Sequence, residues 1–214
     1  MQRLHDRYHT PLSAHKPHVL TSVNATIKAM RSVDDRNILD SFCTRFCREL
    51  EKHAQYIVVS GFVAISSGRS RGTEDIDVIL ERVPKEKFEK IHADLEKAGF
   101  ECIQGPGAAD LYDHYLKDNL SIRYILKGHL LPEMELKLAK DLLDEGQIKN
   151  RVKLPLTGLD VWFSSINTNI AFKEELLKSE KDLEDSRHLR NVYAEQVDEN
   201  EINRIKELIH KWRL

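Results

Sequence analysis

The sequence predicts an α+β protein, in which a mixed sheet flanked by helices is followed by a helical bundle at the carboxyl terminus. In the first two-thirds of the chain, segments with helical spacing of apolar residues alternate with short runs rich in β-branched residues. From about Asn169 onward, nearly every segment has helical character. We therefore predict an amino-terminal arm over 1–33, an α+β domain over 34–165 and a C-terminal helical region over 166–214.

The bulk composition is that of an ordinary globular protein. With 41% hydrophobic residues and a formal net charge of -2, the chain has no overall field that would attract nucleic acid or an anionic membrane surface. No apolar run approaches the roughly 20 residues of a membrane span, and the first residues lack the apolar core of a secretory signal. Three cysteines give no disulfide framework. We expect a cytoplasmic protein with no membrane partner.

Two groups of side chains resemble metal ligands but favour simpler interpretations. Cys43 and Cys47 are one helical turn apart without further ligands nearby in sequence, which favours buried thiols over a metal pair. The histidines of the arm fit no common ligand frame, so the role of the arm stays open. These histidines are His5, His9, His15 and His18.

The elements of the first half follow from apolar spacing and from glycine stops. A helix over 34–53 places one apolar stripe against a sheet, and YIVVSG is a buried strand that ends in a turn at Gly61. A short helix stops at Gly68, and DIDVIL forms the second strand. The stripe of the first helix consists of Ile38, Leu39, Phe42, Phe46 and Leu50.

The remaining elements are assigned in the same way. In order, we predict a helix over 85–99 closed by Gly99, a strand over 100–105, a loop over 105–113, a hairpin-like strand pair over 114–128 with its turn at Asp118 and Asn119, a helix over 132–146, a strand over 153–163, and then helices. The last helix has apolar residues at helical spacing, which indicates core or homodimer packing before any nucleic-acid role.

The stretch that carries chemistry contains Asp75 and Asp77 at the start of the DIDVIL strand. Side chains at i and i+2 of a strand share a face, so the two carboxylates lie side by side while Ile76 and Val78 point into the core. Two adjacent anions repel each other unless a cation lies between them. Oxygen-only ligands favour Mg²⁺ or Mn²⁺.

A glycine turn precedes this strand by about fourteen residues. The turn at Ser60 and Gly61 would let the backbone approach a phosphate closely. Arg69 and Arg71, on the intervening loop, would add positive charge for a polyphosphate. Each part alone is more often structural than functional, and their conjunction is what favours a nucleotide site.

This segment resembles the signature of the nucleotidyltransferase superfamily (polymerase-β-like), in which a glycine turn is followed by R-x-T-x-D-I-D. The resemblance implies a nucleotidyltransferase-like fold and a metal-dependent enzyme that binds a nucleoside triphosphate, such as ATP or CTP, and transfers a nucleotidyl group to a hydroxyl of RNA, protein or a small molecule. The matching residues are Gly61, Ala64, Gly68, Arg71, Thr73, Asp75, Ile76 and Asp77.

A second segment resembles the helix of abortive-infection and related toxin-type nucleotidyltransferases, where a lysine is followed by Lys-Asp-x-x-Asp. The corresponding residues are Lys173, Lys181, Asp182 and Asp185. The resemblance implies a toxin-antitoxin-like protein in which these side chains contact the nucleotide. The alternative is an ordinary salt-bridged surface helix.

The sequence departs from the family at the third carboxylate, which active members bring from a later central strand. LSIRYIL, the strand expected to supply it, has Arg123 and Tyr124 instead, and the sequence does not place Asp118, Glu133 or Glu135 near Asp75. This departure supports a rival hypothesis, a catalytically impaired nucleotide-binding regulator or antitoxin-like partner protein. In a third hypothesis, DIDVIL is merely a structural strand of an unrelated α+β domain.

Overall fold

The computed structural model describes residues 33–214, with side chains from Ile38 onward. The four histidines of the predicted arm lie outside the described residues. The helices and strands are α1 Val33–Glu51, β1 Tyr56–Val59, α2 Gly61–Ser66, β2 Asp75–Leu80, α3 Lys85–Lys97, β3 Phe100–Cys102, α4 Ala108–His114, β4 Ile122–Leu126, β5 Glu133–Leu138, α5 Leu142–Lys149, α6 Ile166–Phe172, α7 Glu180–Val192 and α8 Glu199–Arg213. A π-helical segment, Lys173–Leu177, separates α6 from α7.

The five strands form one mixed sheet in the order β1-β2-β5-β4-β3. β2 and β5 are parallel, and the other neighbours are antiparallel. Helices flank this sheet and further helices follow it, so the predicted fold class is confirmed. Among residues 33–214, no helix is both long and apolar enough to cross a membrane.

Alternation along the strands divides the sheet into two faces. Ile76, Val78 and Leu80 enter the main core on one face, where α1 and α3 also bury their apolar stripes. Ile79 belongs to a smaller apolar cluster on the other face, together with Ile148 of α5. Asp75 and Asp77 share the face of Ile79 because of the two-residue period. The carboxylates therefore lie on the less apolar side of the sheet.

The main core extends through both predicted domains. It includes Phe46 of α1 and Tyr124 of β4 together with Leu189 of α7 and Ile209 of α8. The division of the chain at 165 and 166 stays a prediction. Cys43 and Cys47 are both buried, with their Sγ atoms 4.0 Å apart, which confirms that they are packed thiols.

The structure corrects four predicted elements. The loop over 105–113 contains α4, because Ala108 and the following helix-forming residues bury Leu111. The hairpin over 114–128 is wrong: residues 116–118 form a 3-10 turn, Asn119 has a left-handed φ of 61°, and β4 alone follows. The strand over 153–163 reduces to isolated bridges at Phe163.

One residue is also corrected: Ile38, which the sequence placed on the buried stripe of α1, is 61% exposed.

The correction of the remaining element bears on the site. The helix predicted over 132–146 is wrong in its first half, where β5 lies between β2 and β4. Its side chains alternate between half-buried and buried positions, starting at Glu133. The strand next to the paired carboxylates is therefore β5, which carries Glu133 and Glu135.

Candidate functional site

The two aspartates of β2 lie on one face of the strand. Asp75 is exposed and Asp77 is half-buried, while Ile76 between them is buried. The Thr73 hydroxyl lies 3.0 Å from the Asp75 backbone oxygen and 3.0 Å from its Oδ1, and donates to both. Thr73 therefore orients the first carboxylate at the start of the strand.

Asp77 is in an environment that disfavours its charge. Burial is the largest cause that raises the pKa of Asp77 above its usual 3.8, and the negative charges of Glu135 and Asp75 raise it further. The Lys137 ammonium and a hydrogen bond from the Ser60 hydroxyl act in the opposite direction. A cation bound beside Asp77 would relieve this electrostatic cost.

β5 adds two glutamates to the same region. In the parallel register, Glu133 lies opposite Asp75 and Glu135 lies opposite Asp77. Arg123 of β4 lies opposite Glu135, and its guanidinium contacts Glu135 at 3.0 Å and Glu133 at 3.4 Å. The residue found where a carboxylate was expected therefore holds the two carboxylates of the next strand.

The turn between β1 and α2 is shaped by two unusual backbone positions. Ser60 has φ 66° and ψ -138°, a conformation that is costly for a residue with a side chain. A Cβ added to Gly61 would lie 2.1 Å from Nη2 of Arg71. A side chain at this position would displace the Arg71 guanidinium, which lies against the glycine. The close approach of a phosphate to this turn stays a prediction.

Asp185 is the centre of a buried ion-pair network. Its side chain is fully buried and accepts two hydrogen bonds from Arg71, at 3.1 and 3.0 Å. Arg69 Nε lies 2.6 Å from its Oδ1, and Lys173 Nζ lies 2.8 Å from its Oδ2. The Lys173 ammonium also contacts Asp182 at 3.1 Å. The second motif thus meets the first through Arg71, and Lys173 is held between two carboxylates.

Three cavities border the carboxylate face, and each is named here by one residue. The Ser60 cavity is lined by Ser60, Asp77, Lys137, Asn169, Phe172, Lys173 and Leu176, among others. The Thr73 cavity is lined by Arg71, Gly72, Thr73, Glu74, Asp75, Arg123, Glu133 and Lys181. The Glu135 cavity is lined by Asn119, Leu120, Ser121, Glu135, Lys137, Leu138, Lys140, Asp144 and Arg213.

The predicted site residues are therefore distributed over two cavities and one network. Asp77, Ser60 and Lys173 border the Ser60 cavity, whereas Asp75 and Lys181 border the Thr73 cavity. Sequence reasoning missed Lys137, Phe172 and Arg213, which come from distant parts of the chain. The alternation in EMELKL was the one local signal that could have placed Lys137 and the glutamates on a strand facing Asp77.

The donor set suits a hard divalent cation bound together with phosphates. Asp75 and Asp77 offer carboxylate oxygens, the ligands that Mg²⁺ prefers, and Mg²⁺ is usually held by one or two carboxylates plus substrate phosphates. Within residues 38–214, no group of three or more His, Cys, Asp or Glu side chains is arranged to hold a metal ion. Asp75 and Asp77 are the residues that would hold such a cation.

Comparisons with known proteins do not assign a family. No family model matches the chain, and no curated protein matches it. Among the solved structures that are similar is that of the antibiotic-resistance factor ANT(2'')-Ia, at 13% identity with a TM-score of 0.48, covering 80% of this chain and 93% of that chain. Similarity at this level assigns neither a family nor an activity, and the resemblance to toxin-type proteins stays a prediction.

Proposed function

We propose that this protein binds a nucleoside triphosphate with Mg²⁺ or Mn²⁺ over the face of β2 and β5, and that it transfers a nucleotidyl group to a hydroxyl acceptor. The parallel register that sets Glu135 opposite Asp77 carries this proposal. It supplies the carboxylate that the sequence could not place, beside an aspartate whose pKa is raised by burial.

Asp75 and Asp77 would hold the cation, which when bound stabilises charge on the attacking and leaving oxygens. The triphosphate would lie in the Ser60 cavity, where Lys137 supplies positive charge. In the same cavity, Phe172 and Leu176 offer an apolar surface against which the nucleobase would pack.

Glu135 would act as the general base. The acceptor oxygen bonds to the α-phosphorus, the bond from that phosphorus to the bridging oxygen breaks, and pyrophosphate leaves. The acceptor proton passes to the Glu135 carboxylate. Arg123, which lies 3.0 Å from Glu135 in this structure, orients that carboxylate.

The rival function is a nucleotide-binding regulator without transferase activity. Its support is the double engagement of Arg123 with Glu133 and Glu135, which occupies the acids that an active enzyme would use. The two proposals differ in one observable, since both bind the nucleotide but only the enzyme transfers label.

The decisive experiment measures binding and transfer separately. Calorimetric titration of ATP, CTP, GTP and UTP with Mg²⁺ should show binding that Asp75→Asn/Asp77→Asn abolishes. Asp160→Asn serves as the control, because Asp160 is 93% exposed and pairs with Lys153. Ligand at about 100 times its dissociation constant should add about 2.7 kcal/mol of stability.

Transfer is then followed with α-labelled triphosphates and total RNA, protein or small-molecule extracts. Glu135→Gln should retain nucleotide affinity and lose transfer by a factor on the order of 100 or more. Nucleotide binding that survives the double aspartate variant would overturn the proposed site. Binding without transfer by the wild type to every acceptor would favour the regulator.

A further inference from the structure

We propose that the hydroxyl acceptor is a small phosphate-bearing compound, seated in the Glu135 cavity. This inference rests on the proposed function, because it takes Glu135 as the base. The charged side chains that line the Glu135 cavity indicate the class of the acceptor.

The Glu135 cavity is connected to the proposed nucleotide site through shared side chains. Lys137, Asp144 and Arg213 line both this cavity and the Ser60 cavity, whereas Glu135 lines only the former of these two. An acceptor in the Glu135 cavity would therefore contact the base on one side and face the triphosphate across Lys137. The two cavities are therefore adjacent, as an acceptor and a nucleotide that react with each other must be.

The two carboxylates that line the Glu135 cavity already have arginine partners. Glu135 contacts Arg123 at 3.0 Å. Asp144 contacts Arg213 at 2.7 Å and also accepts a hydrogen bond from the backbone amide of Lys140 at 3.1 Å. Their negative charge is therefore largely compensated within the protein.

The lysines of this cavity have no carboxylate as close as this, and the Lys137 ammonium acts on Asp77 at longer range, where it lowers the pKa of that carboxyl. Among the described residues, neither Lys137 nor Lys140 forms an ion pair with a carboxylate within 4.0 Å. The Arg82 guanidinium, which does not line the cavity, donates at 2.5 Å to Asn119, which does. The cavity thus presents net positive charge to an acceptor, together with the Ser121 hydroxyl.

The charges that line the Glu135 cavity favour one class of acceptor over two others. A polycationic acceptor would need uncompensated carboxylates, which border the Thr73 cavity at Glu74 and Asp75 rather than the Glu135 cavity. An RNA acceptor would need an extended basic surface, and the chain carries a formal net charge of -2. Two lysines in a cavity of this kind instead match one phosphate group on a small molecule.

In the proposed step, the acceptor phosphate contacts Lys140 and shares Lys137, which lines both cavities, with the triphosphate, while the acceptor hydroxyl donates to Glu135. The hydroxyl oxygen bonds to the α-phosphorus of the nucleotide, its proton passes to Glu135, and pyrophosphate leaves. The product is a phosphodiester that joins the nucleotide to the phosphorylated alcohol.

The first test measures acceptor binding without any transfer. Equilibrium dialysis with labelled ribose 5-phosphate, glycerol 3-phosphate and glucose 6-phosphate is compared with ribose, glycerol and glucose. At least one phosphorylated compound should bind tenfold or more tightly than its unphosphorylated counterpart. Lys137→Gln/Lys140→Gln should remove this preference, and Lys149→Gln, an exposed change on α5, should keep it.

Two results would overturn the proposal: no phosphorylated compound binds better than its counterpart, or the preference survives in the double lysine variant. Near-ultraviolet circular dichroism of the variants identifies any that fail to fold, and the single variant Lys140→Gln then replaces the double one. Because Lys140 is exposed, we expect this variant to fold and to lose at least threefold in affinity.

The second test separates this proposal from the proposed function. Nucleotide binding that Asp75→Asn/Asp77→Asn abolishes supports the nucleotide site whatever the acceptor. If the nucleotide binds and label passes only to unphosphorylated or cationic compounds, the acceptor proposal fails while the transferase proposal stands. If phosphorylated compounds bind at the lysines and no nucleotide binds, the transferase proposal fails.

Discussion

At the scale of single residues, the turn between β1 and α2 combines strain with a close contact. Ser60 has a positive φ of 66°, and its hydroxyl acts on Asp77, whose pKa it lowers. Gly61 leaves room for Arg71, whose guanidinium would lie 2.1 Å from an added Cβ. The turn between β1 and α2 thus places the Ser60 hydroxyl beside the site. It also leaves space for Arg71, which donates to Asp185.

The strain at Ser60 leads to a prediction about a pair of variants. Ser60→Gly and Ser60→Ala both remove the hydroxyl, but only glycine adopts this backbone conformation without steric cost. We expect Ser60→Gly to be more stable than Ser60→Ala by about 1 kcal/mol, measured by urea denaturation. Equal stabilities, or a more stable alanine variant, would show that the positive φ is not strained.

At the scale of elements, β5 shows what local sequence reasoning misses. Glu, Met, Leu and Lys are good helix formers, and the segment from Glu133 was predicted to be a helix for that reason. Its two-residue alternation prevails because Met134, Leu136 and Leu138 fill the core when the segment pairs with β2 and β4. Pairing with β2 is a tertiary effect between segments more than fifty residues apart, so propensity did not reveal it.

Elements with strong local signals were predicted correctly. In α3, Phe88, Ile91 and Leu95 are buried as their spacing indicated, and β2 has the alternation that places Asp75 beside Asp77. What could not be predicted was which partner strand faces these aspartates. For the same reason, Glu135, Lys137 and the wall of the Ser60 cavity could not be placed from the sequence.

The network around Asp185 ties α7 to the loop before β2 and to the π-helical segment. Asp185→Asn would leave the Lys173 ammonium, which is 1% exposed, without its closest partner. We expect a loss of about 3 kcal/mol in the free energy of unfolding, as when one member of a buried ion pair is removed. Chemical denaturation of the variant and the wild type measures this loss.

The matched control is Asp182→Asn, which removes the second partner of Lys173 from a position where the carboxylate is 18% exposed. Solvent can compensate this loss in part, so we expect a smaller cost, about 1 kcal/mol. If Asp182→Asn were as costly as Asp185→Asn, the fully buried carboxylate would not be the centre of the network.

At the scale of the whole molecule, the continuous core predicts that the two proposed regions unfold together. Phe46 and Ile209 belong to one apolar cluster, and Arg213 at the end of α8 contacts Asp141 at 2.7 Å and Asp144 at 2.7 Å at the start of α5. Separating the C-terminal helices would expose apolar surface on both sides. We therefore expect a single cooperative transition.

The chain has two tryptophans, which makes this expectation measurable. Trp162 precedes α6 and Trp212 lies in α8, so each reports on one region. In the variants Trp162→Phe and Trp212→Phe, the remaining fluorescence should give the same fractional unfolding curve as far-ultraviolet circular dichroism of that variant. Loss of the Trp212 signal at a lower denaturant concentration than the circular dichroism signal would show that the helices over 166–214 unfold independently. A shared transition would mean that nucleotide binding beside Asp77 stabilises the C-terminal helices as well as the sheet, because Phe172 and Lys173 line the same cavity.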